Sequence, residues 1–124
     1  MNQFYIFGDS HCRCFTSLCK NIMCMPASSA KGLINKNSKT KSYQRIHEKI
    51  LTLQPISNLL FFFGKVDMDF ILNYKWNTEP LFKNYEEYIK KIVLDYILFI
   101  KNYSTKHNIF LCELPITHYP FIRF

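Results

Sequence analysis

Apolar positions along the chain fall into two patterns. Four short runs, residues 4–7, 22–25, 59–63 and 109–113, are apolar almost without interruption. Turn-forming residues close them: Gly8-Asp9-Ser10, Pro26, Gly64 and Leu114-Pro115 in turn. Uninterrupted apolar runs of this length predict strands covered on both faces. Three other stretches keep the three-or-four spacing of a helix. Residues 11–20 put Phe15, Leu18 and Cys19 on one side. Residues 43–53, with Ser42 as cap and Pro55 as stop, repeat Tyr43, Ile46, Ile50 and Leu53. The longest, residues 85–103, starts with Asn84 and Glu87 in capping-box spacing. It aligns Tyr85, Tyr88, Ile89, Ile92, Val93, Tyr96, Ile100 and Tyr103.

Strands that alternate with helices and are apolar throughout predict an α/β fold, a parallel sheet of about four strands with helices on both faces. No internal repeat is present. In such sheets the chemistry gathers in loops leaving the carboxyl ends of the strands. Those loops are residues 8–11, 26–32, 64–69 and 114–118, and they hold all three glycines.

Composition narrows the picture. At 124 residues and 48% hydrophobic, the chain fits a single domain over 1–124 with its own core. No apolar run approaches the ~18 residues needed to cross a bilayer, so no membrane partner is expected. Asp9 and Arg13 stand where the apolar stretch of a signal peptide would be. Five cysteines, an odd count, are read as reduced thiols in a cytoplasmic setting. The run Cys12, Cys14, Cys19 and Cys24 lacks a second tight knuckle and predicts no metal site.

The net charge is +7, and lysine supplies 13 of the 16 basic residues, a bias typical of AT-rich coding sequence. Residues 31–50 hold about +5 of that charge. They are either a solvated loop or a rim that faces an anion. A nucleic-acid role is not expected, because the tyrosines of the long helix lie on its buried face. His47 and His107 are read as surface residues, and Phe70, Tyr74 and Trp76 as packing side chains.

Ser10 is the candidate of chemical interest. A serine on the turn between a strand and a helix presents its hydroxyl beside unpaired amides that favour developing negative charge. Three blocks then occur in order, one after each of the first three strands: Phe7-Gly8-Asp9-Ser10-His11, Ser28-Ser29-Ala30-Lys31-Gly32-Leu33 and Phe63-Gly64-Lys65-Val66-Asp67. Together they resemble the SGNH (GDSL-type) hydrolase family, in the subgroup with Gly-Asp-Ser-His and Phe-Gly-x-Val-Asp blocks, over most of the chain.

That resemblance implies a three-layer flavodoxin-like sandwich and a serine esterase or deacylase without a cofactor. Its substrate would be a small-molecule or carbohydrate ester. Ser10 matches the nucleophile. Asp9, Ala27, Gly64 and Asp67 belong to the site and oxyanion loops, with Ala27 near the position of the family's second-block glycine. Asp67 either holds its loop or points into the site. Val66 replaces the asparagine whose side chain would complete the oxyanion hole, and no Asp-x-x-His block is present. The resemblance therefore implies a domain incomplete at its C-terminus. His118, five residues past the last predicted strand, is the stand-in base. His11 on an α-helix would project about 100° from Ser10. The alternative is a non-catalytic domain of the same fold that binds a carbohydrate or a protein.

Overall fold

The computed structural model describes residues 3–67, 73–78 and 85–112. Four strands form one sheet in the order β2-β1-β3-β4: β1 Phe4–Gly8, β2 Ile22–Cys24, β3 Asn58–Phe62 and β4 Asn108–Leu111. Every pairing is parallel, so the fold is the expected α/β class with a flavodoxin-like strand order. Among the described residues, α1 Ser42–Leu51, α2 Asn73–Thr78 and α3 Tyr85–Lys101 accompany it. Two 3-10 helices, Ser10–Phe15 and Lys31–Ile34, lie in the loops after β1 and β2.

The strand alternation sorts the core into two layers. Phe7, Leu59 and Phe61 face one side, where Ile46 and Ile50 of α1 and Phe99 and Ile100 of α3 pack on them. Phe7 stacks on Phe61 at 5.4 Å, and Phe99 meets Phe61 edge-on at 6.4 Å. Removing a fully buried ring such as Phe61 costs about 3–5 kcal/mol. Ile6 and Phe62 face the other side, where Cys12, Phe15 and Cys19 cover them. Among the described residues the 3-10 segment and the turn after it cover part of this second face, and Phe4 and Phe110 are exposed there, ring to ring at 5.4 Å.

Several elements differ from the sequence expectation. The 11–20 helix is instead a 3-10 helix that ends at Phe15. Three residues per turn keep Cys12 and Phe15 in line, and the chain then turns away, leaving Leu18 81% exposed. Ser42 does not cap α1. Its hydroxyl is buried and donates to Ser28 Oγ at 2.8 Å, and Lys41 takes the cap position at φ 52°. Phe99 and Ile100 on α3 and Tyr103 just past its end are buried, while Val93 is exposed. His107 is buried and accepts from the Ser57 amide at 3.3 Å; His47 is half-buried against Tyr103 Oη at 2.9 Å. Tyr74 is exposed rather than packed, and Phe70 lies outside the described residues.

Candidate functional site

β1, β2 and β3 end side by side, with Gly8 paired to Cys24 on one side and to Phe62 on the other. The chain runs from β1 outward to β2 and returns past it to β3, which makes the β1–β3 carboxyl edge the switch point of the sheet. Three predicted site loops leave this edge. Gly8 is required by space: a Cβ there would lie 2.7 Å from Cys12 Cβ and 2.7 Å from the Phe62 carbonyl oxygen. This close approach seats Cys12 beneath the loop, where burial pushes its thiol up to about 12. Cys12 is therefore a packing group, with no thiolate at neutral pH.

Asp9 is fully buried. Its Oδ1 accepts from the His11 amide at 2.9 Å, which caps the 3-10 helix, and lies 2.9 Å from His11 Nδ1. In the tautomer in which Nδ1 donates to this carboxylate, Nε2 is the acceptor of the ring. The His11 side chain is 39% exposed. Asp9 Oδ2 meets no partner among the described residues. Ser10 stands half-buried between these two residues, and its hydroxyl bonds no described residue.

The second loop opens with a tight turn in which the Ser28 amide donates to the Met25 carbonyl at 3.2 Å. Pro26 and Ala27 are its central residues, and Ala27 takes φ 63°. This is the type II pattern, with Pro first and a left-handed residue second. Alanine resists this conformation, yet Ala27 adopts it, at roughly 1–2 kcal/mol. Gly64 opens the third loop at φ 112°.

No family model, curated protein or solved structure matches this chain.

Asp67 is buried, and its carboxylate is fully used. Oδ2 accepts from the Ala30 amide at 2.6 Å and Oδ1 from the Lys31 amide at 2.9 Å. Of the two roles open in the sequence, Asp67 holds the loop. Burial raises its pKa, and the two amides pull part of the way back. Val66 is buried and brings no donor. His118 lies outside the described residues. Sequence reasoning weighed His11 only by its angle to Ser10 and missed its contact with Asp9. The readable signal was Asp9 two residues before His11, the spacing at which a capping aspartate folds back over its own turn. Among the described residues no cluster of three His, Cys, Asp or Glu side chains is placed to hold a metal ion.

Proposed function

We propose that the chain is a serine ester hydrolase acting on a small-molecule or carbohydrate ester, with Ser10 as nucleophile and His11 as its base. The observation that carries this reading is the 2.9 Å contact of His11 Nδ1 with the buried Asp9 carboxylate, directly flanking Ser10. A base needs an orienting partner that fixes its tautomer and stabilises its charged form, and Asp9 is suited to both tasks. Ser10 Oγ would attack the ester carbonyl as His11 Nε2 takes its proton. The same imidazolium would return that proton to the departing alcohol, and water would then release the acyl group from Ser10. The amides of Ser10 and Ala27 are the candidate oxyanion donors. Without an amide side chain at Val66, turnover is expected to be ~10²–10³ slower than with a full oxyanion hole.

The test is hydrolysis of 4-nitrophenyl acetate together with labelling by a fluorophosphonate probe, on the chain and on Ser10→Ala, His11→Ala and His118→Ala. Labelling should map to Ser10, and His11→Ala should lower the rate by ~10²–10⁴. A rate lost only in His118→Ala would transfer the base role to His118. A folded chain that is never labelled at Ser10 would sink the hydrolase reading and favour the non-catalytic binding domain.

A further inference from the structure

A recess of about 640 Å³ opens between the loop containing the Lys31–Ile34 turn and the first half of α3. That volume falls within the range of small-molecule sites. The charge around it is one-sided. Lys31, Lys39 and Lys91 line it, and Asp95 is the single carboxylate among its described lining residues. Asp95 is already bonded to Lys91 at 2.8 Å. Lys31 is placed by a neutral group instead: its ammonium donates to Tyr88 Oη at 3.1 Å and lies 5.2 Å from the centre of that ring. Lys75 lies 5.3 Å from the same ring centre. A neutral ring does not cancel the charge of the Lys31 ammonium beside it, so that cation stays available at the recess. Asn35 and Asn37 add neutral amides to its lining.

The recess shares its loop with the candidate active site. The amide of Lys31 is one of the two that Asp67 clamps, and Ala27 opens the same loop. We propose that this recess binds the anionic part of the ester cleaved at Ser10. The substrate class is then an acylated compound carrying a phosphate, sulfate or carboxylate. This rests on the hydrolase reading of Ser10 but is tested apart from it.

The experiment is calorimetric titration of the full-length Ser10→Ala chain with glucose 6-phosphate, glucose 6-sulfate, glucuronate and glucose. At least one anionic sugar should bind ten times more tightly than glucose, and the strongest of the three names the anion. Lys31→Ala and Lys39→Ala should each raise that Kd about tenfold, the loss of one charge-assisted contact. Lys31→Arg should restore most of the binding, which a merely structural lysine would not require. Anions that bind no better than glucose, or a Kd indifferent to both lysines, would overturn the proposal. Anion binding without Ser10 labelling would retire the hydrolase reading and keep the site. Labelling without anion binding would retire the recess alone.

Discussion

Replacing Asp67 with alanine should loosen the loop between β2 and α1 before it unfolds the sheet. Two amides lose their acceptor, and their surroundings differ: Ala30 is buried, whereas Lys31 is exposed and its amide can turn to water. The buried donor costs about 1–3 kcal/mol when left unpaired, and the other bond about 1 kcal/mol. Against this stands relief from burying a carboxylate. Its pKa is raised in the fold, so the stability it contributes is fully present below the unfolded value. That contribution falls as pH rises through the folded value. The alanine variant should therefore lose more at pH 4 than at pH 8, with about 2 kcal/mol lost at pH 7. Urea unfolding at the three pH values reads the global loss. Amide hydrogen exchange reads the local one, and 2 kcal/mol corresponds to about 30-fold faster exchange at Ala30. If Ala30 exchanges at the same rate in both proteins, Asp67 is not the clamp of this loop.

Gly8→Ala should cost at least ~2 kcal/mol in urea unfolding, since the added Cβ meets a carbonyl oxygen and another Cβ at 2.7 Å. An unchanged midpoint would show that β1 and β3 separate more easily than their register suggests. Ala27→Gly should act in the opposite direction. It relieves a left-handed alanine and should raise stability by up to ~1 kcal/mol, visible as a higher Tm. No gain would mean that the entropy lost by glycine on folding offsets the relief. His107 is shifted below its ordinary value by burial and by Lys106, and its Nδ1 must stay unprotonated to accept from Ser57. Its contribution is present above about pH 6.5 and lost as pH falls through the lower, folded value. Tm should then fall less steeply from pH 7 to pH 5 in His107→Gln than in the parent chain. Equal slopes would refute the assignment.

The strands were legible because their apolar runs are short, continuous and closed by Gly or Pro. The stripe of α1 was legible in the same way: Ile46 and Ile50 are buried, and Tyr43 and Leu53, the latter just past the helix, pack against the same core. α3 resisted that treatment. From Ile92 to Ile100 it is apolar nearly all round, so periodicity alone could not prefer Phe99 over Val93. In the site, Ser10 and its loop could be read from neighbours in sequence. The clamp between Asp67 and Ala30 could not, because its partners are brought together only by the crossover from β2 to β3. The Asp9–His11 contact failed for a subtler reason: it is made by a capping side chain folded back over its own turn, which apolar periodicity does not record. His107 looked like a surface residue because its burial comes from the Ser57 segment, remote in sequence.

The place of β1 inside the sheet also bears on how the molecule comes into being. Phe4 finds its partner at Asn58, and Asn58 in turn pairs with Asn108. Parallel neighbours cannot zip up through a tight hairpin, so each pairing waits for an entire crossover to be synthesised. A growing polypeptide can pair Phe7 with Met23 early, but the other edge of β1 waits until Phe62 has emerged, and contacts of such long reach close slowly. β1 is thus secured on its β2 side well before its β3 side, and a cell making this protein must shield that open aromatic edge until β3 has been made.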